Sequence, residues 1–225
     1  APMPVPRAHT ARMSAAVLVK ETGSRLRGAW GKGFRAPTIN DLAFPGFGRP
    51  GVGPERSESY EFGFDQKVWQ NRVRFGATAF HNEIRDLIAF VCDPTGTQCG
   101  AGNQGGARTK GIESYAELEP LDWLLLYANY TFTRTHNNSG RELQNFARHR
   151  WNTGVAVTPL ERLSLFAQAH VVSSHRAFVG RNPGYHRIDV GGTYRLWGRA
   201  GAMERLELTA RVENLSDQVY EEVQG

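Results

Sequence analysis

Segments of alternating polar and apolar residues recur along this 225-residue chain, and the breaks between them are in turn short and long. Glu21-Thr22-Gly23 is short and Ala36 to Arg56 is long; Gln70-Asn71 is short and Cys92 to Gly106 is long. Leu118 to Leu121 and Thr158 to Arg162 are again short, His136 to His149 and Ser173 to Tyr185 long, and Trp197 to Met203 intermediate. Successive strand residues point to opposite faces, so such alternation marks strands with one apolar and one polar face. Tight turns at one edge and broad loops at the other fit an up-and-down β-barrel in an outer membrane.

Sorting by parity separates the faces. From Leu163 to Val171, Leu163, Leu165, Ala167, Ala169 and Val171 oppose Ser164, Phe166, Gln168 and His170. In Tyr60 to Val68 the apolar side is Tyr60, Phe62, Phe64 and Val68, against Glu61, Gly63, Asp65 and Lys67. Arg205 to Glu213, Arg72 to Phe80, Trp151 to Val157 and Arg187 to Tyr194 divide the same way. The strand from Asp122 turns aromatic on its apolar side only near its loop end, at Tyr130 and Phe132. With Ala15–Lys20, Leu26–Phe34 and Ala107–Leu118 this predicts ten strands.

A soluble sandwich would bury those apolar faces against a second sheet, whereas a membrane barrel turns them to lipid. The polar face carries Arg, Glu, Asp and Gln on neighbouring strands, which suits a wet lumen where opposite charges pair across strands. The strands run to ~9–13 residues, beyond the ~5–6 common in globular sheets and close to what a tilted strand needs to span a bilayer. Small residues on the apolar face would fill a sandwich core poorly. The expected fold class is therefore all-β: a partial transmembrane antiparallel barrel over residues 15–225, after an irregular segment at 1–14. Ten strands leave two open edges, which lipid does not tolerate. The reading is therefore of a fragment.

Composition is compatible with this. Mean hydropathy is −0.46, and no run approaches the ~20 apolar residues of a spanning helix, but a barrel strand needs only every second residue apolar. The net charge of +5 is spread along the chain among acids, so no nucleic-acid patch is indicated. Cys92 and Cys99 share one polar, Gly-rich loop and suit either a loop-closing disulfide in an oxidising compartment or free thiols. The first sixteen residues are Pro-rich and contain no apolar export signal.

Specific strings then carry a resemblance. Leu26 to Thr38 (LRGAWGKGFRAPT), Pro54 to Gly63 (PERSESYEFG), Phe80 to Ile88 (FHNEIRDLI), Lys110 to Glu113 (KGIE), Ala128 to Thr133 (ANYTFT) and Arg211 to Val223 (RVENLSDQVYEEV) occur in order. The set resembles the C-terminal part of TonB-dependent outer-membrane receptors, with a lean toward the cobalamin-receptor-like branch. The resemblance implies a 22-stranded barrel around an N-terminal plug. It implies import of an iron–siderophore complex, haem or cobalamin, in the outer membrane of a Gram-negative bacterium. Energy would come from TonB–ExbB–ExbD, acting only through a plug and TonB box that no residue here matches. The last strand of the family is also unmatched.

No catalytic, metal or cofactor constellation stands out, and no enzyme is expected. Gly31-Lys32-Gly33 lacks any phosphate-loop spacing. Asp65/Glu61 and Glu113/Glu117 fall on the polar face and read as lumenal salt-bridge partners rather than a glycosidase pair. His136, His149, His170 and His175 read as surface or lumen histidines. Ligand contact, if carried by the long loops, points to Phe44, Phe47 and Arg49, and to Arg141 and Arg148. A passive porin and a soluble or surface β-sandwich binding module are the alternatives. The sandwich requires Leu165, Leu206 and Leu208 to be covered.

Overall fold

The computed structural model describes residues 9–177, 180–197 and 206–221. The strands are β1 (Ala11–Val19), β2 (Ser24–Arg35), β3 (Glu55–Val68), β4 (Val73–Arg85), β5 (Ile88–Cys92), β6 (Cys99–Asn103), β7 (Gly106–Leu121) and β8 (Leu124–Asn137). They continue as β9 (His149–Leu160), β10 (Leu163–Val172), β11 (His175–Arg176), β12 (Arg181–Asn182), β13 (Tyr185–Trp197) and β14 (Leu206–Val212). One short helix, α1, covers Ile39–Ala43. Ten strands form a single antiparallel sheet in the order β1-β2-β3-β4-β7-β8-β9-β10-β13-β14. The ten expected strands are these ten. The first begins at Ala11, inside the 1–14 stretch read as irregular, because Ala11 to Ser14 pair with Ala29 to Lys32 of β2. Residues 1–8 and 198–205 of the terminal segment and of the intermediate break lie outside the described residues.

Three long breaks hold structure that alternation alone did not expose. The Cys92 to Gly106 break holds the turn and second strand of a hairpin, β6 pairing back on β5, while β11 and β12 form another inside Ser173 to Tyr185. The Ala36 to Arg56 break holds α1. Its signal is local: the Thr38 hydroxyl accepts from the Asp41 N–H and the Asp41 carboxylate accepts from the Thr38 N–H, a reciprocal capping box.

The apolar face is not covered. Phe62 is 62% exposed, Leu208 63% and Leu165 41%. The buried apolar residues among those described are Val52, Ala101, Ala107, Ala147 and Ala177, all in or beside loops. A sandwich is therefore contradicted: its second sheet would shield Leu165 and Leu208, and among the described residues nothing does.

Cross-strand register gives the sheet its pitch. Directly opposed residues share a face. Trp30 opposes Tyr60 on β2 and β3, and that row continues through His81 and Lys110 to Arg134 on β8. The next aromatic pair on the same face is Tyr130 with Trp151, on β8 and β9, their rings stacked at 4.0 Å. The aromatic belt thus drops about one residue per strand across the sheet. One residue of rise (~3.4 Å) per strand spacing (~4.8 Å) is a tilt of about 35°, the range of membrane barrels. Trp69 and Trp123, both largely exposed, mark the opposite edge beside the short turns. Between Tyr60 on β3 and Trp69 just past its end the tilted wall spans roughly 25 Å, the height of an outer-membrane apolar band.

Candidate functional site

The polar face carries the charge network. Arg27 pairs with Asp65 at 3.2 Å and donates to Thr78, and the Tyr115 hydroxyl reaches Asp65 at 3.2 Å. Arg74 links Glu117 at 2.8 Å and Glu119 at 2.5 Å. Asp65 and Glu117 are thus paired across strands, while Glu61 and Glu113 have no ion pair among the described residues. Gly31-Lys32-Gly33 lies within β2, in regular register with β3, and forms no phosphate loop.

The densest knot surrounds Asp189 on β13, whose side chain is fully buried. Its carboxylate accepts from Gln168 on β10 at 3.1 Å, from Arg187 at 3.1 Å and from Arg211 on β14 at 3.4 Å. It also accepts from the Asn214 N–H at 3.0 Å. The chain after β14 therefore folds back along β13. Asn214, in the left-handed region at φ 53, clasps Gln218 through both atoms of its amide. Tyr220 receives a hydrogen bond from Arg187 and stacks on Tyr185 at 4.3 Å. The string Asn214 to Tyr220 is a lock on the lumen wall.

The loops meet in two pairs. In the first, α1 and its flanks dock on the β5–β6 hairpin: Phe47 stacks on Phe90 at 6.0 Å, Arg49 donates to the Gln98 carbonyl, and Gly53 and Asn103 exchange hydrogen bonds. Cys92 and Cys99 are joined in a disulfide at the hairpin end. Beyond it Asp93 accepts from the Thr95 and Thr97 hydroxyls and the Gln98 N–H; led by the Thr95 bond, these hold its carboxyl down at about 2. Of the loop residues expected to meet a ligand, Phe47 and Arg49 are thus engaged in joining two loops, and Phe44 is exposed. Asp41 is held below the usual carboxylate range chiefly by the Thr38 N–H.

In the second pair, the 138–148 loop leans on the 173–184 loop. Asn145 N–H donates to the Arg176 carbonyl and His149 N–H to the Ser173 hydroxyl. Arg148 is paired with Glu142, whose carboxyl is lowered mainly by that bond. Arg141 is exposed at the loop surface. No contact joins Phe44, Phe47 or Arg49 to Arg141 or Arg148 among the described residues.

What sequence reading passed over lies beneath this second pair. Arg150, Asn152, His170 and Arg187 point into the lumen from β9, β10 and β13, and Asn145 and His175 close over them from the loops, around a cavity of about 300 Å³. Four of these groups hold buried polar atoms with no hydrogen-bond partner: Asn145 Oδ1, His170 Nε2, His175 Nε2 and Arg187 Nε. The nearest acid to His170 Nε2 is Asp189, at 3.7 Å. His175 also borders an outer recess of about 310 Å³ with Arg148 and Arg181. Arginines and histidines dominate both, and unmet buried polar atoms carry a desolvation cost that an incoming ligand can offset. The signal was legible: Arg150, His170 and Arg187 all sit on the polar parity at the loop ends of neighbouring strands. No group of three or more metal-ligating side chains is assembled among the described residues.

Residues 14–215 match the family model described as TonB dependent receptor-like, beta-barrel. Among curated proteins, the chain is 29% identical over 197 residues to the vitamin B12 transporter BtuB of Vibrio vulnificus, covering 85% of this chain and 30% of that one. It is 27% identical over 226 residues to the iron-regulated outer membrane virulence protein of Vibrio cholerae, covering 86% and 33%. Solved structures of similar fold include the copper transporter OprC, with a TM-score of 0.77 at 19% identity over 93% of this chain and 34% of that one. Another is a mutant of the ferric enterobactin receptor PfeA from Pseudomonas aeruginosa in complex with enterobactin, with a TM-score of 0.76 at 20% identity over 93% and 35%. The chain spans about a third of the length of the curated relatives it matches. It belongs to the TonB-dependent receptor family and forms part of the wall of that family's outer-membrane β-barrel.

Proposed function

We propose that the full-length protein is an outer-membrane active-transport receptor and that this segment supplies the wall and external loops that receive the nutrient. The observation that carries the reading is the lumenal cavity under the 138–148 and 173–184 loops, where Arg150 and Arg187 stand beside the unmet atoms of Asn145, His170 and His175. A cationic, hydrogen-bonding recess favours an anionic complex, so a ferric siderophore fits it better than cobalamin, with haem carboxylates between. The curated relatives include proteins named for vitamin B12 and for iron. Phe44 and Arg141 remain exposed candidates at the loop surface. Passage would require energy from TonB–ExbB–ExbD through a plug region, with no covalent step and no resident cofactor.

The test uses the full-length protein in outer-membrane vesicles. Binding of an anionic ferric siderophore is compared with cobalamin and haem, for wild type and the Arg150→Ala/His175→Ala variant. Tighter siderophore binding, lost at least tenfold in the variant, supports the reading. Unchanged affinity removes the cavity from the ligand path, and energy-independent leakage of small solutes makes the protein a passive porin.

A further inference from the structure

The outer wall carries a second charged surface, on the opposite face from the lumen. Above the aromatic belt, β4, β7 and β8 turn outward Arg85, Arg108, Lys110 and Arg134, with His81 and His136 among them. Parity and register fix this placement, because His81, Lys110 and Arg134 lie in the row of Trp30 and Tyr60. These residues border a cleft of about 960 Å³, closed above by the chain at Gly105–Gly106 and Asn137–Asn138.

The cations are arranged against their own repulsion. Lys110 and Arg134 are direct cross-strand neighbours, and like charges so placed destabilise a sheet unless an anion lies between them. Neither has a carboxylate partner among the described residues. Arg134 rests 5.4 Å from the Phe132 ring. The local acid Glu83 is already shared by Arg85 at 3.4 Å and Arg108 at 3.3 Å. Below the patch the same face is apolar, with Ala79, Ile112 and Phe132 in one row. Following the one-residue stagger, Lys110 and Arg134 stand about three residues above the belt, roughly 7–10 Å toward the exterior. Headgroup phosphates lie at that height when acyl chains pack against the wall beneath.

We propose that this patch is a binding site for the phosphates of an outer-leaflet glycolipid, gripped between Lys110 and Arg134 with its chains along Ile112 and Phe132. A free phosphate would use the cations but not the apolar row. The site is independent of the nutrient cavity, so either assignment can fail alone.

The experiment is native mass spectrometry of the full-length protein released from phosphatidylcholine bilayers doped with bisphosphorylated lipid A, dephosphorylated lipid A, or neither plus inorganic phosphate. Wild type should retain bisphosphorylated lipid A, and Lys110→Ala/Arg134→Ala should retain at least fivefold less. Lys67→Ala, at the opposite rim, should match wild type. Equal retention by wild type and the double variant overturns the proposal, as does equal retention of the two lipids or displacement by millimolar phosphate. Should the double variant not reach its heat-modifiable folded form, the wild-type comparison between the two lipids decides.

Discussion

Asp189 offers the sharpest quantitative test of the lumen network. Replacing it by alanine removes the acceptor for Gln168, Arg187, Arg211 and the Asn214 N–H together. Breaking a buried charged pair from one side costs about 3–5 kcal/mol. Arg211 keeps 44% of its side chain exposed and can turn to water, so the lower end, about 3 kcal/mol, is expected. Asp189→Asn keeps the shape and can still accept from Asn214, losing only the charge-assisted part, about 1.5–2 kcal/mol. The assay is urea unfolding of the full-length protein in detergent micelles, followed by tryptophan fluorescence and gel heat-modifiability. Asp189→Ala should lower the unfolding constant's reserve about a hundredfold with an unchanged denaturant slope. A double-mutant cycle with Arg211→Ala should show coupling above about 0.5 kcal/mol. An Asp189→Ala loss below about 1 kcal/mol, or strict additivity with Arg211→Ala, would refute the idea that this carboxylate organises four chain segments.

Two further outcomes follow from the faces and loops. Ala167 lies on the lipid side of β10 midway between the belts, so Ala167→Arg should cost about 2–4 kcal/mol in bilayer folding titrations, and Ser164→Arg on the lumen side well under half of that. Asp93, held at about 2 where an unfolded aspartate titrates near ~3.9, contributes order to the hairpin that is complete above that unfolded value. As pH falls through about 2 that order is lost, so hydrogen exchange at the Gln98 amide, corrected for intrinsic rate, should lose protection between pH 4 and 2 and not between pH 8 and 5.

The barrel wall was legible because its code is binary. Membrane strands expose one face to hydrocarbon and the other to water, so parity in Leu163 to Val171 or Tyr60 to Val68 reports both strand and orientation. Loop architecture follows other rules. The α1 helix rests on a capping box, and the β5–β6 hairpin contains Gly100 and Gly102 where alternation would need side chains. The cavity at Arg150, His170, His175 and Arg187 was missed for a different reason: its residues are scattered over three strands and a loop, and register alone brings them together. Phe47 and Arg49 looked like ligand groups by residue type, but their partners Phe90 and Gln98 lie some forty and fifty residues along the chain.

The docking of the α1 loop on the disulfide-bonded hairpin has a kinetic consequence. Stacking of Phe47 on Phe90, the Ala101 N–H bond to Phe47 and the exchange between Gly53 and Asn103 fasten these loops at successive points, so neither opens without the other. Any opening on that side must move two loops at once, whereas the 138–148 and 173–184 loops are joined by fewer bonds among the described residues. The two loop pairs therefore differ in how they can separate: the first moves as one unit, and the second parts more readily.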